Sequence, residues 1–332
     1  MTFWRDKKIL VTGGAGFIGS HLVEKLLSEE ALVKVADKRP KENAHKLGSR
    51  IEDIDYFTSD LMTLPECERA CEDVDVVVNL AAKVGGVKYN MTHQGTMFTE
   101  NSLINTNMLE AARRKGVDRF LCVSSACVYT RDCSIPTPEE EGFVREPEPT
   151  NRGYGWAKRI AEVQAKAYAE EYGMKIAIVR PYNAYGPRDH FNTETGHVIA
   201  ALIKKVFDGM NPLVVWGDGT QTRCFVYVSD TVNGMLLATE KYAVADPLNI
   251  GTDEEVRIKD LAEMIVKLSG VKTKIVFDTT KPAGQPRRKA DTKKAREKIG
   301  YKAEVPLKEG LKKTIGWYKK HAQENEDNAC RH

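Results

Sequence analysis

The chain has 332 residues, 42% hydrophobic and 29% charged, with a formal net charge of +3. That length holds a full core for one large α/β unit with an appended lobe, and no apolar run approaches the roughly 20 residues that span a bilayer, which excludes a membrane-embedded protein. Lys and Arg are dispersed except near the C-terminus, so the concentrated basic footprint of a nucleic-acid binder is missing.

Met1 to Gly13 is a short charged lead into an apolar strand without the features of a signal peptide, which predicts a cytoplasmic protein. Seven cysteines, an odd number without paired metal-ligand spacing, fit reduced thiols; Cys67 and Cys71 can share a helix face, but two thiols do not make a zinc site, and no metal is expected. Strands are predicted at Ile9–Thr12, Leu32–Ala36, Val74–Leu80, Phe120–Ser124 and Lys175–Val179, with helices from Gly16 to about Glu29, Asn101 to Lys115 and Trp156 to Glu171. Continuously apolar strands alternating with helices imply a parallel sheet covered on both faces. After Pro181 shorter elements follow at Val198–Phe207, Leu213–Trp216, Ile258–Leu268 and Lys274–Phe277, while Phe225–Val228 and Leu248–Ile250 are expected to return to the first domain. Lys312, Lys313, Lys319 and Lys320 read as the solvated side of a terminal helix. The expected fold is α/β, a Rossmann-type doubly wound parallel sheet (1–180) with a smaller α/β substrate-binding lobe (mainly 181–323) and a disordered tail (324–332).

Directly after the first strand, Thr12-Gly13-Gly14-Ala15-Gly16-Phe17-Ile18-Gly19 opens a helix. Glycines at 13, 16 and 19 permit a tight turn, close backbone approach to a pyrophosphate and close helix packing, and the helix N-terminus presents amide donors to the anion. Asp37 ends the second strand, where a carboxylate accepts ribose hydroxyls and repels a ribose phosphate; this favours NAD over NADP, although Lys38 and Arg39 stand next to it. The expected cofactor contacts are Gly13, Ala15, Gly16, Phe17, Ile18, Asp37, Ala81, Tyr154 and Lys158, with Asp60 and Leu61 at the adenine edge. An Asp after a strand serves equally well as a helix cap.

Tyr154 and Lys158 lie four residues apart, on one helix face, so the ammonium is expected to lower the phenol's pKa and let it exchange a proton with a substrate hydroxyl. With Ser124-Ser125-Ala126-Cys127-Val128-Tyr129, Arg180-Pro181-Tyr182-Asn183-Ala184-Tyr185-Gly186-Pro187-Arg188, Trp216–Arg223 and Leu248–Gly251, nearly the whole chain resembles the extended short-chain dehydrogenase/reductases that modify nucleotide sugars. The resemblance implies a catalytic triad of Ser125, Tyr154 and Lys158, and Asn183 holding the substrate diphosphate. It implies Arg223 with Arg287 or Arg288 on the phosphates, and a homodimer through helices Asn101–Lys115 and Trp156–Glu171.

Dehydrating members typically carry an Asp-Glu pair where this chain has Ala126 and Cys127. The Ser-Ser-Ala-Cys-Val-Tyr segment is similar to that of the GDP-mannose 3,5-epimerases and GDP-L-fucose synthases, in which the cysteine exchanges a proton at sugar carbons. In a strand the side chain two residues past Ser125 returns to the serine's face, and this alternation is expected to align Cys127 with Ser125. Gly196-His197-Val198-Ile199 resembles the stretch carrying the partner histidine in the fucose synthases. Alone, Cys127 reads as a core thiol and His197 as a helix-start residue; at these places together they read as a proton-exchange pair. The expected activity is that of an NAD-dependent epimerase acting through a 4-keto nucleotide-diphosphate sugar, favoured as a GDP-sugar 3,5- or 5-epimerase. The alternatives are a UDP-hexose or UDP-uronate 4-epimerase, an NADPH-dependent epimerase/reductase, and a catalytically silent dinucleotide-binding module, against which intact Tyr154 and Lys158 argue.

Overall fold

The computed structural model describes residues 2–281 and 284–321; the expected tail, 324–332, lies outside the described residues. In chain order the first half runs β1 (Lys8–Thr12), α1 (Phe17–Ser28), β2 (Leu32–Asp37), β3 (Asp55–Thr58), α2 (Leu64–Ala70), β4 (Val76–Asn79), α3 (Val87–Thr92), α4 (Gln94–Arg114) and β5 (Arg119–Val123). Then come α5 (Arg152–Tyr172), β6 (Lys175–Pro181), β7 (Ala184–Tyr185), α6 (Val198–Phe207), β8 (Leu213–Trp216), β9 (Thr222–Cys224), β10 (Val226–Tyr227) and α7 (Val228–Lys241). The rest is β11 (Pro247–Ile250), β12 (Glu255–Arg257), α8 (Ile258–Ser269), β13 (Ile275–Asp278), β14 (Arg287–Arg288), α9 (Lys293–Ile299) and α10 (Leu307–Lys320).

Seven parallel strands form one sheet in the order β11-β6-β5-β4-β1-β2-β3. The central strands β1, β4 and β5 are largely apolar because successive residues enter different cores. Ile9, Val11, Val76 and Val78 pack with Leu22 and Leu26 of α1 and Met235 of α7. Leu10, Val77, Phe120 and Ile178 pack on the opposite face with Met108 of α4 and Ala161 and Ala165 of α5. The chain reverses its direction of sheet growth between β1 and β4, so the loops after these strands border the crevice in which doubly wound sheets bind ligands.

A second core joins Ile199, Ile203 and Val206 of α6, Leu213 and Val215 of β8, Leu261 and Ile265 of α8, and Leu311 and Ile315 of α10. The four lysines named above are exposed on α10. Leu248–Ile250 does lie in the large sheet, beside β6, but Val226–Tyr227 does not: β10 pairs with β7, because the Val226 amide is taken by the Asn183 carbonyl. No described helix is long and apolar enough to cross a membrane.

Two helices begin earlier than predicted, α4 at Gln94 and α5 at Arg152. The start of α5 was obscured by Gly153 and Gly155, poor helix formers that close packing demands here. A Cβ on Gly153 would lie 2.2 Å from the Gln94 carbonyl oxygen, and one on Gly155 would lie 2.4 Å from that of Cys127.

Candidate active site

The loop after β1 is shaped by Gly13, whose φ of 65° is left-handed. A Cβ there would meet Ala81 of the β4 exit loop at 3.1 Å, and one on Gly19 would meet the Gly13 carbonyl oxygen at 2.3 Å. Gly13 and Gly16 thus keep the backbone bare, while Gly19 serves to pack α1 on the turn. Helix α1 has no side-chain cap at Gly16, which leaves its first-turn amides for an anion. Phe17 and Ile18 of that turn pack against the second core. Asp37 is buried; its Oδ2 accepts the Ala15 amide at 3.1 Å and its Oδ1 the Arg39 amide at 3.0 Å, with lone pairs left for further donors. The Asp60 carboxyl accepts the Met62 amide at 3.1 Å, so it shapes the turn before α2, and Leu61 beside it is buried. The bare glycine turn, the uncapped helix and the buried carboxylate fit NAD.

A polar chain fixes the other wall of the crevice. Thr12 donates to Asn79 at 2.8 Å and accepts the Ala81 amide at 3.0 Å; Asn79 donates to Asn105 at 3.1 Å. Asn101, one turn earlier on α4, accepts the Lys83 amide and donates to the Lys83 carbonyl. The Asn-rich face of α4 is therefore buried rather than solvated.

Ser125, Cys127, Tyr154 and Lys158 come together where β5 ends against the start of α5. The strand stops at Val123, and Ala126–Val128 is a 3-10 turn whose Cys127 amide donates to the Ser125 hydroxyl at 3.1 Å. Strand alternation therefore does not place Cys127; the Ser125 cap does. The expected lowering of the phenol's pKa is also corrected. Burial pushes Tyr154 well above the usual phenol range, Cys127 adds to the rise, and the Ser125 hydroxyl opposes it. Lys158 stands 5.5 Å from the Tyr154 ring centre, yet its Nζ donates to the Val123 carbonyl at 2.7 Å, and burial lowers its own pKa.

On the far side, Asn183 donates to the Cys224 carbonyl at 2.8 Å. The register of β9 with β14 sets Arg288 beside Arg223, and burial together with the Arg288 charge lowers the Arg223 pKa to about 10. Two crowded cations of this kind suit a dianion. Arg287 is excluded from the pair because strand alternation turns it to the other face, where it binds Glu255 through two bonds of 2.7 and 2.8 Å. His197 flanks α6, with its Nδ1 3.7 Å from the Asp189 carboxyl. Among the described residues Cys127 and His197 share no hydrogen bond or ion pair, and no cluster of three metal-ligating side chains is formed.

Residues 9–251 match the family described as NAD dependent epimerase/dehydratase. The chain belongs to that family. A GDP-mannose 3,5-epimerase of Arabidopsis thaliana is 33% identical over 328 residues, covering 97% of this chain and 85% of that protein. A GDP-L-fucose synthase of Sinorhizobium fredii is 32% identical over 323 residues, covering 96% and 98%. The structure of a UDP-glucose 4-epimerase of Thermotoga maritima with UDP-glucose superposes with a TM-score of 0.86 at 30% identity, covering 95% of this chain and 99% of that one.

Two groups in this member of the epimerase/dehydratase family escaped sequence reasoning. Glu162, one helical turn beyond Lys158, is fully buried and binds Arg180 of β6 through bonds of 2.8 and 2.7 Å while accepting from the Ser124 hydroxyl. Its signal was the spacing of four from Lys158, which puts a carboxylate on the same helix face one turn on. Asp189 directly follows the Arg180–Arg188 motif and gave no signal of its own.

Proposed function

We propose that this chain is an NAD-dependent nucleotide-diphosphate-sugar epimerase that works through a 4-keto intermediate on a GDP-sugar, inverting C5 or both C3 and C5. The observation that carries this reading is the Cys127 turn, capped by Ser125 and set beside Tyr154, where dehydrating members have an Asp-Glu pair. The chemistry that NAD supplies when bound is reversible oxidation at C4, with a positive charge on its oxidised ring that favours the Tyr154 phenolate. Tyr154 takes the C4 hydroxyl proton and later returns it, Ser125 orients that hydroxyl, and Lys158 holds the end of β5 against the phenol. A ketone at C4 acidifies the hydrogens at C3 and C5. Cys127 as thiolate removes one of them, and His197 delivers a proton to the opposite face.

The diphosphate is assigned to Arg223, Arg288 and Asn183. Arg288→Ala is expected to raise the KM for the nucleotide sugar by about 10- to 150-fold, the value of a charged hydrogen bond of about 1.5–3 kcal/mol, whereas Arg287→Ala should leave it within about twofold. Equal effects in steady-state kinetics would refute the assignment. A homodimer is part of this reading, supported by exposed Phe98 and Leu103 on α4 and Trp156 and Val163 on α5.

A second reading, C4 epimerisation of a UDP-sugar, is favoured by the likeness to the Thermotoga maritima enzyme. Cys127→Ala separates the two. It is expected to abolish deuterium uptake from solvent at C5 while still allowing transient formation of reduced NAD. Ordinary C4 epimerisation of a UDP-sugar by both Cys127→Ala and His197→Ala would replace the first reading with the second.

A further inference from the structure

The His197 side chain is 60% exposed, whereas the Asp189 side chain beside its Nδ1 is only 3% exposed. Oδ1 of Asp189 also accepts the His190 amide at 2.7 Å; Oδ2 is buried and has no hydrogen-bond partner among the described residues. A buried oxygen left without a donor costs about 1–3 kcal/mol, so the local packing gives no reason for a carboxyl at this place. The reason is to be sought in what the carboxyl faces. From the segment after β2 it faces Lys46, whose pKa burial lowers to about 8 while Asp189 opposes the fall. From the start of α6 it faces His197. The neighbouring Arg188 is turned away, donating to His21, Glu24 and the Lys46 carbonyl.

We propose that Asp189 is a positioning residue that holds His197 with a proton on Nδ1, so that Nε2 is the atom exchanging a proton with the sugar. The proposal rests on the proton-exchange role given to His197 above. With Nδ1–H kept by the carboxylate, the opposite nitrogen of this largely exposed side chain is left to serve a bound sugar. The protons balance in each inversion. The Cys127 thiolate takes the proton from the carbon on one face and becomes a thiol; protonated His197 gives its Nε2 proton to the same carbon on the other face and becomes neutral. Asp189 stays ionised throughout, and thiol and imidazole re-equilibrate with water before the next cycle. Asp189 also draws the His197 pKa above its ordinary value, so the acid form persists to higher pH.

The test is a proton-resonance titration of His197 in the NAD-loaded enzyme, paired with the pH profile of deuterium exchange at C5. In the wild type the His197 midpoint should lie above 6.5. In Asp189→Asn it should fall by about one pH unit, the usual effect of removing an adjacent carboxylate, and the exchange profile should move down with it; Asp189→Glu should restore part of the shift. A wild-type midpoint below 6.5, an unchanged midpoint in Asp189→Asn, or a lowered midpoint with an unmoved profile would each overturn the proposal. A wild-type enzyme that places no deuterium at C3 or C5 would instead remove the reading on which the proposal rests, and that result is read without any variant.

Discussion

Tyr154→Phe is expected to lower kcat by about 10²–10⁴-fold, the range over which a positioned acid–base group contributes. The Kd for the nucleotide sugar should stay within about twofold. The phenol is the titratable group that Ser125, Cys127 and Lys158 surround, and the diphosphate is assigned to cations on β9 and β14 instead. Phe keeps the ring and its packing and removes only the oxygen that carries the proton. Burial, with the Cys127 charge adding to it, holds that oxygen's pKa high, so turnover of the loaded enzyme should also rise with pH as the phenolate becomes accessible. Steady-state kinetics with binding measured by calorimetry checks both parts, and near-normal turnover in Tyr154→Phe would exclude the phenol as the essential acid–base group.

The largest effect on stability is expected from Glu162→Ala. Arg180 and Glu162 are 1% and 0% exposed, and Arg180 also donates to the Tyr129 hydroxyl at 2.9 Å and the Glu139 carbonyl at 2.6 Å. Tyr129 passes the chain on to Asn249 of β11 at 2.6 Å. Removing one partner leaves a guanidinium uncompensated inside the protein, which costs about 3–5 kcal/mol. Replacing both, as in Glu162→Leu with Arg180→Met, should recover much of that loss, since a well-packed apolar pair often matches a buried ion pair. Denaturant unfolding of the single and double variants measures the difference; a loss below about 1 kcal/mol in Glu162→Ala, the size of an ordinary surface pair, would show that the network carries little weight.

The parts of the fold governed by local pattern were legible in the sequence. Apolar runs gave β1, β2, β5 and β6 to within about two residues, and Val198–Phe207 and Leu213–Trp216 were located at both ends. The glycine turn and Asp37 announced the dinucleotide site because that chemistry needs bare backbone at fixed spacing. What failed depended on capping, strand pairing and burial, which apolar pattern does not report. The end of β5 is decided by the Ser125 cap rather than by side-chain alternation. The choice between Arg287 and Arg288 is made by the pairing of β14 with β9, and Glu255 then claims the outward residue. The phenol's environment depends on burial between β5 and α5, and a spacing of four residues reveals proximity to Lys158 but not the Val123 carbonyl that occupies its ammonium. Asp189 acquires its meaning from His197, eight residues on, and from Lys46, on the segment after β2.

The most direct measurement is the proton spectrum of GDP-mannose recovered after incubation with the NAD-loaded enzyme in deuterium oxide. Loss of the C5 proton signal is expected, with or without that of C3, while the C4 proton persists because the hydrogen removed there is returned without exchange with water. Conversion of a UDP-hexose at C4 with every ring proton retained, and no label in GDP-mannose, would contradict that expectation.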